Sequence, residues 1–210
     1  MKLNIKTAAI PLIALNVFVF ILQAILGNHF TNSLMLASAD IPSRPWIIIT
    51  HIFLHGSVNH LLFNIYALFI FGPLLEQRIG AKRFIFLYVL SGAIAGFLSS
   101  FFYDFALGAS GAIMGIIGTL IILMPDLQLL MFFVMPMPLW VAGIVYAAID
   151  AFGILFPSGI GNVAHLAGMA SGLAYGIHLK KEKKKFYRVF SSKKHLDEED
   201  IEDYLKTGRI

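Results

Sequence analysis

Six stretches of this chain are apolar and long enough to cross a bilayer, and a chain built that way has few folds open to it. They cover about residues 8–26, 58–75, 84–102, 110–124, 139–156 and 160–179. Each approaches the roughly 20 helical residues needed to traverse about 30 Å of hydrocarbon. Of the 210 residues, 58% are hydrophobic and only 13% charged, and the mean hydropathy is +0.79. Soluble domains usually carry about a quarter charged residues. The expected fold class is therefore all-α, a polytopic membrane protein with a six-transmembrane-helix bundle.

The charges that remain report topology. Lys2 and Lys6 precede the first stretch, Arg78, Lys82 and Arg83 separate the second from the third, and lysines crowd residues 180–185 after the sixth. With six crossings all three groups fall on one side, so the positive-inside rule predicts cytoplasmic termini in a multi-pass protein of the cell membrane. The net charge of +4 thus reads as membrane anchoring, with no nucleic acid among the partners, because no basic face interleaved with aromatics exists. The chain has no cysteine, which excludes disulfides, a thiolate nucleophile and a Cys-based zinc site. No convincing small-residue cleavage site follows Leu26, so the first stretch reads as a true span rather than a signal peptide. Residues 27–57 form the longest connection, expected to pack on or dip into the outer face. The composition changes sharply after Leu179, which divides the chain into a membrane domain, 1–180, and a soluble cytoplasmic tail, 181–210. No internal repeat and no pair of matching broken helices points to a transporter.

Polar groups inside spans are costly and are functional candidates by default. Ser110 opens the fourth span, His165 lies early in the sixth, and His60 and Asn64 share one face of the second by their i, i+4 spacing. Counting rise from the cytoplasmic ends sets Ser110 roughly 9 Å, His165 about 8 Å and His60 about 6 Å below the outer boundary. Three spans bring polar groups to one level. Gly111, Gly115 and Gly118 follow the serine and Gly168, Gly172 and Gly176 follow the histidine, stripes that let membrane helices approach closely. Spans four and six are expected neighbours, with the imidazole in reach of the Ser110 hydroxyl as its activating base. Asp150 is expected near mid-membrane, too far to orient that imidazole, so the expectation is a dyad and not a triad. Backbone N–H groups at the start of span four, joined by His60 and Asn64, are candidate oxyanion donors.

These residues resemble a known family. Gly108-Ala109-Ser110-Gly111, His165-x-x-Gly168 with Gly172, and His60-x-x-x-Asn64 closely resemble the rhomboid intramembrane serine proteases, over residues 46–176 and including Glu76-x-Arg78-x-Gly80. The resemblance implies a rhomboid-like bundle, Ser110 as nucleophile, His165 as general base, and His60, Asn64 and the Ser110 N–H as oxyanion stabilisers. It implies no cofactor, and single-span membrane proteins as substrates, cut near their outer end in a site open to the outer side. It also points to the fifth span, 139–156, with Trp140 and Phe152, and to the following loop, 157–162, as a substrate gate. Two departures stand out. Trp46 is followed by Ile47 rather than Arg, with Arg44 two residues before it, and Met114 stands where many members carry an aromatic.

Other readings compete with this one. A serine at a helix start is usually a cap, and His60 with Asn64 could simply staple two helices. His51 and His55 have i, i+4 spacing, but no carboxylate accompanies them and His-Glu-x-x-His is absent, so no metal is expected. An Asp104–Asp150 aspartyl pair lacks the surrounding pattern of that chemistry. The main alternative function is a non-catalytic rhomboid-like protein that binds transmembrane clients. Its expected signature, loss of Ser110 or His165, is missing.

Overall fold

Polar residues set where each apolar stretch begins and ends as a helix. The computed structural model describes residues 7–131, 135–156, 161–190, 199 and 202. In chain order the helices are α1 (Ala9–Leu34), α2 (Ile47–Thr50), α3 (Val58–Ile79), α4 (Ala81–Ser99), α5 (Ser110–Leu123), α6 (Leu139–Leu155) and α7 (Asn162–Phe190). The first N–H groups of a helix lack intrahelical partners. Those of α1 are met from another helix, since Ala8 N–H donates to Glu76 Oε1 at 2.8 Å and Ala9 N–H to Oε2 at 3.3 Å. Ser57 caps α3 by accepting the His60 N–H at 3.1 Å. Gly80, at φ 78°, turns the chain between α3 and α4.

Three helices, α1, α3 and α4, are long and apolar enough to cross a membrane by themselves. Helices α5 and α6 are apolar but shorter, at 14 and 17 residues, and α7 joins an apolar half to a lysine-rich one. At 1.5 Å per residue α5 covers only about 21 Å. It is nevertheless the most enclosed element, with nine of its residues from Gly111 to Leu120 buried and α3, α4, α6 and α7 packed around it. Large apolar side chains face outward instead, among them Phe63 at 75% exposure and Ile25 and Leu155 at 72%. That inversion suits a protein solvated by lipid, where packing rather than hydrophobic burial holds helices together.

The structure corrects the expected boundaries in several places. The first span ends where it was expected to, at a break at Gly27 with φ 69° and ψ −159°, but a helix then resumes to Leu34 within the expected connection. Only a residue that tolerates positive φ permits such a break without strain. The connection expected over 27–57 is largely folded. Strand β1 (Leu36–Ala37) pairs antiparallel with β2 (Phe105–Ala106), and Ser38 N–H donates to Asp104 O at 2.9 Å. A second antiparallel pair, β3 (Gln128–Met131) with β4 (Met135–Pro138), lies between α5 and α6 in the chain. Helix α7 runs through residues 180 and 181 without interruption. The loop over 157–160 and most of the acidic end of the tail lie outside the described residues.

Candidate active site

Ser110 is the first residue of α5, and the way the chain enters that helix frees its hydroxyl from a cap's duty. Ala109 occupies the cap position and supplies no side-chain bond, so the reading of Ser110 as an N-cap fails. Gly108 leads in with φ 128°, in the region that disfavours any Cβ. A Cβ there would also lie 2.6 Å from Cε1 and 2.8 Å from Nε2 of His60. The Gly108 N–H donates to His51 O at 2.9 Å, which pins the lead-in to the connection between α1 and α3.

His60 therefore faces the approach to Ser110 with its Nε2 edge. Its Nδ1 accepts the Gly56 N–H at 3.4 Å, which leaves the ring proton on Nε2. Asn64, one turn further along α3, is buried and donates one amide proton to His60 O at 2.8 Å. An amide group has a second. Both expected oxyanion donors thus stand on the side of α3 that meets α5.

His165 lies three residues into α7, its backbone N–H tied to Gly161 O at 3.0 Å. The glycine stripes bring α7 onto α5 at backbone distance. A Cβ at Gly168 would lie 2.1 Å from Gly111 O, one at Gly172 would lie 2.0 Å from Gly115 O, and Ala164 O is 3.5 Å from the Cβ position of Gly111. Thr119 adds a polar link across this seam, its Oγ1 lying 2.9 Å from both Gly115 O and Gly172 O. Ser110 and His165 are each next to a residue in this contact. His165 is also near enough to His60 for the rings to interact electrostatically.

One expectation is overturned here. His165 Nδ1 lies 2.9 Å from Asp150 Oδ1, with the two side chains only 16% and 6% exposed, so a carboxylate does reach the imidazole. The position of Asp150 is better judged from the end of α6 at Leu155, which packs on the start of α7, than from its beginning. Asp150 is five residues from that end, or about 7.5 Å along the axis, which makes it level with a histidine near the start of α7. A buried carboxylate in an apolar helix requires a partner, and that cost was the signal in the sequence.

The remaining expectations divide. Phe152 is on the outer surface of α6, 63% exposed, with its ring 4.7 Å from that of Phe156. Trp140 starts α6 beside Leu139, whose N–H donates to Leu127 O beyond the far end of α5, so it is removed from Ser110 by nearly the length of a helix. Met114 is partly buried against the core. Arg44 anchors the connection between α1 and α3 by ion-pairing with Asp40 and donating to Asn32 O at 3.0 Å. His51 and His55 do not converge on a common point. His51 bonds Ile47 O at 2.9 Å with its ring against Gly96, while His55 stacks edge-on with His60 at 5.1 Å. Asp104 sits in the turn paired with Ser38.

The rhomboid domain model matches residues 42–182. The chain belongs to the rhomboid family. Among its rhomboid relatives, Rhomboid protein 1, mitochondrial, of Saccharomyces cerevisiae is 35% identical over 193 residues, covering 86% of this chain and 55% of the relative. Rhomboid protease GlpG of Haemophilus influenzae is 32% identical over 135 residues, covering 64% and 69%. The putative rhomboid protease YdcA of Bacillus subtilis is 43% identical over 77 residues, 35% of this chain and 38% of that protein. The chain thus spans little more than half the length of the yeast relative. Helix α1 precedes the region that the rhomboid model matches.

Proposed function

We propose that this rhomboid is an intramembrane serine endopeptidase that cleaves single-span membrane proteins near the outer face of the cell membrane. The reading has both termini cytoplasmic, six crossings and no cofactor. The observation that carries it is the backbone contact of α5 with α7 at Gly111 and Gly168, one residue from Ser110 and three from His165. The family and the printed names of the Haemophilus and Bacillus relatives support proteolysis.

In this mechanism His165 Nε2 takes the Ser110 Oγ proton as Oγ bonds to the scissile carbonyl carbon, whose π pair moves to oxygen. His60 Nε2–H, the free Asn64 amide proton and the Ser110 N–H face that oxyanion. Collapse of the adduct breaks the C–N bond, and the imidazolium returns the proton to the leaving amine. Water then repeats the sequence on the acyl-enzyme, with His165 again accepting the proton, and releases the acid. Phe152, exposed on α6 toward lipid, is suited to meet an entering transmembrane segment. Trp140, at the other end of α6, is not.

Purified protein with a single-span model substrate tests the reading. Ser110→Ala and His165→Ala should each abolish cleavage, and Asn64→Ala should lower turnover on the order of 100-fold at unchanged thermal stability. Cleavage by either of the first two at the wild-type rate would sink the proposal, and wild-type protein that captures the substrate without cutting it would favour the client-binding alternative.

A further inference from the structure

We infer that Asp150 completes a Ser–His–Asp arrangement in which it acts as the positioning residue for His165, an inference that rests on the serine protease reading above. The carboxylate and the imidazole meet at 2.9 Å between Oδ1 and Nδ1. Both are sequestered, and they come from different helices, α6 and α7.

The chemistry of that contact is directional. A carboxylate can only accept, so Nδ1 carries the proton in this bond and Nε2 is left with its lone pair. The nucleophile's proton must go to an unprotonated nitrogen, and Nε2 is the one that can turn toward α5. During acylation the proton on Nδ1 stays where it is, the Ser110 proton moves to Nε2, and the ring becomes cationic beside a fixed negative charge. Without Asp150 the ring is free to take the other tautomer, which offers Ser110 a donor instead of a base. A purely structural staple between α6 and α7 would need a hydrogen bond but would be indifferent to which ring nitrogen remained bare.

The local packing supports a positioning role. Asp150 is one of the few buried polar groups of the chain. It is the sole acidic residue of α6, and its carboxylate bonds the imidazole. His165 is held from the other side by the turn that joins its N–H to Gly161 O, so the ring has a fixed root and a fixed edge. A Cβ at Gly153 would strike the Asn162 side chain at 2.6 Å, so the outer end of α6 is seated closely on the start of α7, where this pair forms.

The test uses the full chain in detergent, labelled with ¹⁵N-histidine, and a fluorophosphonate that phosphonylates an activated serine. In the unsubstituted protein His165 should show a protonated Nδ1 and a bare Nε2 at neutral pH. The reverse tautomer would overturn the inference without any variant. Asp150→Asn should slow both phosphonylation of Ser110 and kcat on the model substrate by about 100-fold or more, with KM within about twofold and the His165 signal shifted toward the Nε2–H form. Labelling of Asp150→Asn within about threefold of wild type, counted per folded molecule, would assign Asp150 a structural role only and overturn the inference. Failure of the underlying reading looks different, since wild-type protein would then not be phosphonylated at Ser110 at all.

Discussion

His51 and His55, the buried histidines of the connection between α1 and α3, carry a consequence that their spacing alone does not suggest. Desolvation holds each neutral and lowers its pKa to about 4, with the neighbouring His60 adding to the effect on His55. In the unfolded chain both titrate near 6.5. Between about pH 6.5 and 4 the unfolded state therefore binds more protons, and stability falls as the pH falls. Thermal unfolding in detergent should show the protein most stable above pH 6.5 and weakened by about 2–4 kcal/mol at pH 5, two histidines contributing up to ~1.4 kcal/mol per pH unit each. Equal melting temperatures at pH 7 and pH 5 would refute this. At this scale the sequence was most informative where a polar residue interrupts an apolar run. Ser110, His165, His60 and Asn64 could be picked out in that way. Asp150 was visible too, but its partner was not, because depth counted from one end of a helix of uncertain length places it wrongly.

Helices four and six of the expected bundle, now α5 and α7, meet through atoms rather than through side-chain volume. At Gly172 and Gly168 an added methyl would sit 2.0 Å and 2.1 Å from backbone oxygens of α5, and backbone cannot swing aside as a rotamer can. Gly172→Ala should thus push the two helices apart, lowering the melting temperature and cutting activity at least tenfold, since small displacements of catalytic groups are costly. Gly161→Ala is the control, because among the described residues a Cβ there meets nothing closer than Ala164 Cβ at 3.6 Å. Wild-type melting and turnover for Gly172→Ala would show that the seam is looser than described. The stripes of glycine made this pairing legible in advance. The helix that resumes after Gly27 and the β1–β2 pairing were not, since residues 28–34 read as part of a connection and two-residue strands leave no periodicity to detect.

Across the whole molecule the ring of exposed large side chains, Phe63, Ile25, Leu155 and Phe101 among them, is what a bilayer would cover. The six crossings proposed above would place both chain ends on one side. Alkaline phosphatase fused at either end should be inactive in bacterial cells and active when inserted after Ser43, and activity at only one end would refute the six-crossing topology. The all-helical, membrane-embedded character was open to sequence reading because hydropathy reports it directly; the layering around α5 was not, because it depends on which helices touch. Helix α1 illustrates that dependence in time. Its first amide protons are taken up by Glu76, which lies 68 residues beyond Ala8. A ribosome adding 5–20 residues per second makes that carboxylate roughly 3–14 s after the amides it will receive. For that interval α1 waits in the membrane with its entrance open, so a change at Glu76 should register during biogenesis, as nascent chains held longer by the insertion machinery, before it registers in the finished protein.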